Sequence, residues 1–369
     1  MKIFSNTAHV SRVGGLITEK FKKYLRMDKN ERLDDYSQKV INKFKKNLTS
    51  EDIVNYPNEQ NLINSLAKYL KVKKNKILIT PGSDAGLKYI FETFVDKKTN
   101  VASLSPSYAM FEFYCQLYKC KISKILYNKE FNVDLKDIKD IINQNPKLIY
   151  VANPNQPSGT SLKKKYLKNI IDLSQKKNCL VIIDEAYIDF SKHGSVLNLV
   201  NKYKNLFILR TFSKGFGSAG LRVGYIVSNP KNIIEVNKVR PLHNINSIGI
   251  KFSSFLLKNR SIVKTNILNI NYSKSMLYKF CKKNNLSYLE SDTNFVNIFF
   301  EEKKCREIQK FLRNKKILVR IRKYEIKNKK LFSVRVSLGH KKITKIFIKK
   351  FQEYLKINEK KKLKKKFYL

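Results

Sequence analysis

One lysine in a lysine-rich chain is set apart by its neighbours. Lys214 follows the apolar run LFILRTF, which reads as a buried strand, and precedes Gly215, Gly217 and Gly220, with Arg222 eight residues on. An amine sheltered at a strand end is a candidate nucleophile toward carbonyl compounds. The glycines there would let the backbone approach a bulky ligand. Asp184, in VIIDEAYIDF, ends a second apolar run. A carboxylate there costs free energy unless a cation or strong donor meets it, so a structural salt bridge and a ligand contact are both open readings. In TPGSDAGLKY, the residues Gly82, Ser83 and Asp84 turn from a strand into a helix. Free N–H groups at a helix start favour a phosphate, although Ser-Asp there is also an ordinary cap. VANPNQPSGT closes another strand in a rigid turn rich in Pro and Asn.

An amine for imine formation, a carboxylate, an arginine and a phosphate-accepting turn together describe a site for pyridoxal phosphate. In such a site the lysine carries the aldehyde, and the carboxylate keeps the pyridine nitrogen protonated so that the ring becomes an electron sink.

These residues must be brought together by the elements between them. The runs KILIT, NVASL, CKISKILY, KLIYVAN, CLVIID and LFILRTF read as strands, and AGLKYIFETFV, YAMFEFYCQLY and KKKYLKNIIDLSQKK as helices between them. Continuous apolar strands alternating with helices predict a mainly parallel sheet covered on both faces, with the ligand beyond the carboxyl ends of its strands. One long helix is expected over SIGIKFSSFLLKNRSIVKTNILNINYSKSMLYKFCKKNN, leading to a smaller α/β lobe. The expected divisions are an N-terminal arm and helix over 1–50, a large cofactor-binding domain over 51–245, a small domain over 246–357 and a basic tail over 358–369.

Composition bounds the function. The 369 residues include 42% hydrophobic ones, enough for a large core, and no apolar run approaches the roughly 20 residues a membrane-spanning helix needs. No signal-peptide core is visible in the first 25 residues, so a cytoplasmic location with no membrane partner is expected. The charge of +47 is almost all Lys spread along the chain, which reads as a solvated surface rather than a specific nucleic-acid site. The one dense cluster is the tail EKKKLKKKFYL, read as a frayed helix end. Five cysteines lack metal-ligand spacing and read as reduced, mostly buried thiols; no metal is expected.

The motifs NYPN, GSDAG, SPSYAMF, NPNQPSGT, DEAYIDF, RTFSKGFGSAGLRVGY, VRPLHNIN, SDTNFV and VRVSLG occur in one order along nearly the whole chain. In that order and spacing the chain resembles the fold-type I pyridoxal phosphate aminotransferases, and within them the histidinol-phosphate aminotransferase family. The resemblance implies a mainly parallel seven-stranded sheet covered by helices, with a small C-terminal α/β domain. It implies that Lys214 binds the cofactor aldehyde and shuttles a proton, that Asp184 pairs with the pyridine nitrogen, and that Tyr187 donates to the ring's phenolic oxygen. Ser83, Asp84, Ser213 and Arg222 would hold the phosphate, and Gln156 would touch the phenolic oxygen. Tyr108 would stack on the ring unless it is a plain core tyrosine. Tyr56 would reach the partner subunit's phosphate site, which implies a homodimer with a shared active site. Arg335 and Arg322 would grip the substrate's carboxylate or phosphate, unless they are ordinary strand arginines, because a guanidinium fork matches either anion. Asn30 and Glu31 match the segment that covers the site.

Departures from the family pattern cluster where substrate would enter. Gln156 stands where the family has Asn, NENP has become NERL, Ala85 replaces an acidic residue, and His243 replaces the tyrosine of RPPYNxN. His243 reads either as a loop histidine or as a polar substrate contact. The resemblance implies transamination between histidinol phosphate and 2-oxoglutarate, a step of histidine biosynthesis. Two alternatives stay open: an aminotransferase of the same family serving aromatic amino acid or surface-polysaccharide metabolism, and a pyridoxal phosphate decarboxylase of a phosphorylated amino acid.

Overall fold

The run LVIID has every residue but its first buried, as a central parallel strand covered on both faces requires. A computed structural model of the chain describes residues 9–10 and 24–366, with side chains as far as 357. Most of the expected N-terminal arm and the side chains of the basic tail lie outside the described residues.

A two-residue strand, β1 (Leu25–Arg26), precedes the large sheet, whose strands are β2 (Ile77–Thr80), β3 (Asn100–Ser105), β4 (Lys121–Leu126), β5 (Leu148–Ala152), β6 (Leu180–Asp184), β7 (Leu206–Thr211) and β8 (Gly224–Ser228). Their order is β2-β8-β7-β6-β5-β3-β4. All neighbours are parallel except β8, which is antiparallel to both β2 and β7. The chain moves outward from β3 to β4 and then returns to β5 and proceeds through β6 and β7. The order therefore reverses between β3 and β5, and ligands bind outside the carboxyl ends of strands at such a reversal. Strand β8 is not among the six read from the apolar pattern. Its residues GYIVS follow the glycine-rich loop with no turn signal between them.

Side-chain alternation divides the core between the two faces of this sheet. Val181, Ile183, Ile149 and Ile208 pack on one face, and Ile182, Tyr150 and Leu209 on the other. The smaller lobe is a four-stranded antiparallel sheet of β9 (Tyr288–Leu289), β10 (Phe295–Phe300), β12 (Arg320–Ile326) and β13 (Lys329–Ser337), in the order β12-β13-β10-β9. The strand β11 (Ile317–Leu318) pairs in parallel with β1 and ties the N-terminal segment to this lobe. A separate cluster including Val296, Ile298, Val334, Val336 and Phe347 fills its core.

The single long helix expected after residue 246 is two helices, Ser247–Lys258 and Arg260–Lys283. Asn259 breaks them: its Nδ2 donates to the Phe255 carbonyl at 2.8 Å, an alternative to helix continuation that apolar periodicity does not register. Two helices absent from the sequence reading, Leu135–Asn143 and Pro230–Lys238, also cover the large sheet. Among the described residues no helix is long and apolar enough to cross a membrane. Cys115, Cys179, Cys281 and Cys305 are buried and Cys120 is half-buried.

Candidate active site

Asp184 closes β6 and is 5% exposed. Its Oδ2 accepts the Tyr150 hydroxyl proton at 2.8 Å and its Oδ1 the backbone N–H of Ala186 at 3.0 Å. Neither donor is a cation, and burial pushes the carboxyl up to about 6. This is not the structural salt bridge that was one open reading. The next residue, Glu185, points to the opposite face and does form one, with Arg210 at 2.8 Å. A cavity lies over Asp184, lined also by Ser83, Tyr108, Gln156, Tyr187 and Lys214, so six of the predicted residues surround one space.

Lys214 lies just beyond β7, and its Nζ donates to the carbonyl of Asn30 at 3.1 Å. It sits 5.5 Å from the centre of the Tyr187 ring. Asn30 has φ of 56°, a left-handed conformation that Asn tolerates better than most residues. That bend lets one residue meet both lobes: its Nδ2 donates to the Tyr187 hydroxyl at 3.0 Å, and its backbone N–H donates to Ser337 Oγ at 2.9 Å. Tyr187 in turn donates to Gln156 Oε1 at 2.6 Å.

The helix Gly82–Phe94 begins at the end of β2, beside Arg222. Gly82 has φ of +80°, and a Cβ there would come within 2.7 Å of Arg222 Nη2. The Arg222 guanidinium is exposed and held only by long contacts to the carbonyls of Pro81 and Ala219, at 3.4 and 3.5 Å. It lies over a helix start whose first N–H groups have no partner within the helix. Ser213 accepts from the Thr211 hydroxyl at 2.9 Å, which leaves its own proton to donate. Asp84 differs from the expectation for its side chain. That carboxyl accepts from the Tyr114 hydroxyl at 3.2 Å and is raised by burial, so only its backbone N–H is offered to an anion. The glycines after Lys214 also serve another purpose than the one expected. A Cβ on Gly215 would collide with the Asp189 side chain, and one on Gly217, at φ +76°, would meet Arg32 Cδ at 2.8 Å. Gly215 and Gly217 make room for these protein side chains, whereas a Cβ on Gly220 would meet open space.

Arg335 is 2% exposed; its Nη2 donates to the Asp28 carbonyl at 2.9 Å, while Nε and Nη1 are buried without a partner. Arg322 Nε is in the same condition. Burial, and then the Arg335 charge, push Arg322 down to about 10. A buried guanidinium and a half-buried one beside it, both with buried N–H groups unused, call for an anion. Tyr56 is not brought into this cavity: it is 79% exposed and stacks on His243 at 4.1 Å between ring centres. His243 is therefore an outer-surface residue beside Tyr56 in this chain. Sequence reading missed Tyr150, Asn294 and Ser337. Tyr150 had a signal, since alternation along LIYVA places it on the face shared by Ala152, the register partner of Asp184.

The residues fit pyridoxal phosphate, the cofactor that the sequence resemblance implies. A buried carboxylate lacking a cation suits a pyridinium N–H, and the glycine-floored helix start beneath Arg222 suits a phosphate.

Sheet order and site together define a fold-type I enzyme. The chain belongs to the class I and II aminotransferases, whose family model matches residues 22–348. It is 32% identical over 326 residues to the histidinol-phosphate aminotransferase of Clostridium novyi, covering 87% of this chain and 88% of that one. It is 35% identical over 293 residues to the enzyme of that name from Buchnera aphidicola, covering 77% and 81%. The crystal structure of histidinol-phosphate aminotransferase from Sinorhizobium meliloti in complex with pyridoxal-5'-phosphate shares the fold, with a TM-score of 0.79, 22% identity and 88% of each chain covered.

Proposed function

We propose that this protein is a cytoplasmic pyridoxal phosphate-dependent aminotransferase that moves an amino group between histidinol phosphate and 2-oxoglutarate, acting as a homodimer. The observation that carries the reading is the pairing of a carboxylate that lacks a cation, Asp184, with two guanidiniums, Arg322 and Arg335, whose buried N–H groups lack an acceptor. The first matches a cofactor nitrogen and the second an anionic substrate. Two relatives at 32% and 35% identity named histidinol-phosphate aminotransferase support the choice of substrate.

In this reading the bound cofactor supplies an electron sink for the carbon that exchanges its amino group. Asp184 holds a positive charge at the ring nitrogen, and the helix start at Gly82, with Ser213 and Arg222, anchors the phosphate. Tyr108 covers the ring face. Lys214 would hold the aldehyde, and its amine is the group that would carry the transferred proton. Arg335 and Arg322 orient the substrate's phosphate or carboxylate through charge-assisted hydrogen bonds. Residues 51–245 form the cofactor-binding part, and 246–357 the part that brings these arginines.

The test is a half-reaction screen in which the cofactor's visible spectrum is followed after mixing with one amino donor. Histidinol phosphate and glutamate should each convert it within a turnover time, and aromatic amino acids and amino sugars should do so far more slowly. A response to glutamate without one to histidinol phosphate would overturn the substrate assignment. Release of carbon dioxide from a phosphorylated amino acid would overturn transamination.

A further inference from the structure

The hydrogen bonds around Asn30 run in one direction only, and a backbone group sets that direction. The N–H of Asn30 is an obligatory donor and gives its proton to Ser337 Oγ at 2.9 Å. Ser337 is fully buried, and its hydroxyl, accepting there, passes its own proton to Asn30 Oδ1 at 3.0 Å. With Oδ1 so occupied, the other end of the amide, Nδ2, faces Tyr187 and donates to its hydroxyl at 3.0 Å. The Tyr187 proton is thereby turned away from Asn30 and goes to Gln156 Oε1 at 2.6 Å, on the side where Tyr187 and Gln156 line the cavity. The Asn30 carbonyl is separately held by Lys214 Nζ and by Asn294 Nδ2, each at 3.1 Å, so the residue at the head of this chain of bonds is anchored from both lobes.

We propose that Ser337, on β13 of the small sheet, is a positioning residue that acts through Asn30 to make the Tyr187 hydroxyl a fixed proton donor toward the cavity. Without the Ser337 hydroxyl the Asn30 amide is free to turn over, and an Oδ1 facing Tyr187 would draw the phenol's proton back out of the cavity. Ser337 touches no reacting atom. It settles which way a neighbour's proton points, and it does so from the lobe that also carries Arg335. The inference rests on the cofactor reading above, because the oxygen that receives the Tyr187 proton is assigned to the cofactor ring.

The readout is the pH at which the visible band of the cofactor-loaded protein changes, with no substrate present. A hydrogen bond donated to the ring oxygen favours its deprotonated form, so weakening the donation raises that midpoint. Ser337→Ala and Asn30→Ala should each raise it by about 0.5 to 1 unit. The double variant should match Asn30→Ala alone, since both changes cut one chain of bonds. Asn30→Asp, which puts an acceptor where Nδ2 donates, should raise it further and provides the test should Ser337→Ala fail to fold. A wild-type midpoint in folded Ser337→Ala, additive shifts in the double variant, or an unmoved Asn30→Asp would each overturn the proposal. Absence of a visible band in the wild type would instead remove the cofactor reading on which it rests.

Discussion

Lys214 Nζ donates to the carbonyl of Asn30 at 3.1 Å, across 184 residues of sequence. The contact joins the loop after β7 to the N-terminal segment, and the segment is held in turn by the small sheet, where the N–H of Ser337 donates to the Met27 carbonyl at 2.8 Å. The amine is therefore kept as a donor inside the cavity lining rather than extended into solvent.

From that placement, Lys214→Ala should bind the cofactor without forming the visible band that lysine attachment produces. Lys214→Arg keeps the charge and should behave the same way, because a guanidinium does not condense with an aldehyde. Absorbance between the ultraviolet and visible bands after adding pyridoxal phosphate checks both variants. An unchanged visible band in either one would remove Lys214 from the mechanism.

Asp184 makes a prediction about stability of the cofactor-free protein. Its carboxyl is raised from 3.8 to about 6 by burial, so the folded state binds the proton more tightly than the unfolded one. Stability should therefore be greatest below the unfolded value and fall as pH rises through the interval up to about 6, by an amount on the order of 3 kcal/mol. Asp184→Asn keeps an acceptor for Tyr150 and does not titrate. Its melting temperature should match wild type near pH 4 and exceed it increasingly up to about pH 7, while its cofactor affinity drops. Parallel melting curves at every pH would show that the carboxylate is not strained by burial.

Much of this was legible in the chain itself, for a physical reason. Asp184 and Lys214 follow apolar runs that can only be central strands, and strand ends are where an open parallel sheet collects its polar residues. What could not be read depends on contacts distant in sequence. Tyr150 reads as core until its register beside β6 shows it donating to Asp184. Ser337 reads as a strand residue until the bend at Asn30 meets it. Gly215 and Gly217 were legible as special positions but not for the right reason, since Asp189 and Arg32 are remote in the chain. Strand β8 was missed because an antiparallel return directly after a glycine-rich loop carries no helix before it.

The unused N–H groups of Arg335 and Arg322 make a prediction about substrate alone. Removing a buried guanidinium that grips an anion costs about 3 kcal/mol, or roughly 100-fold in affinity. Arg335→Ala should raise KM for glutamate by about that factor and leave the cofactor's spectrum and its pH midpoint nearly unchanged. Arg322→Ala should act more strongly on a phosphorylated donor than on glutamate, if the two arginines divide the two anions. Steady-state kinetics with both donors decide this, and equal KM values in wild type and Arg335→Ala would place the substrate elsewhere.

The exposed stack of Tyr56 on His243 makes the last prediction, about assembly. Tyr56 lies beside exposed Ile53, Val54 and Leu242, large apolar side chains on two segments tied together by Arg240 Nη1 on Glu59 at 2.6 Å. A rigid, aromatic, apolar surface of this kind is the composition of an interface core, and a second copy of the chain is the partner that would bring Tyr56 to a phosphate it cannot reach in its own cavity. Sedimentation should give twice the 43.3 kDa chain mass. Leu242→Lys, placing a charge in that surface, should shift the protein toward monomer and weaken cofactor binding together. Tyr56→Phe should leave the dimer intact and weaken cofactor binding by about tenfold, the value of one hydrogen bond to a charged group. Wild-type protein sedimenting as a monomer, or Tyr56→Phe with unaltered cofactor affinity, would show that Tyr56 does not act across an interface.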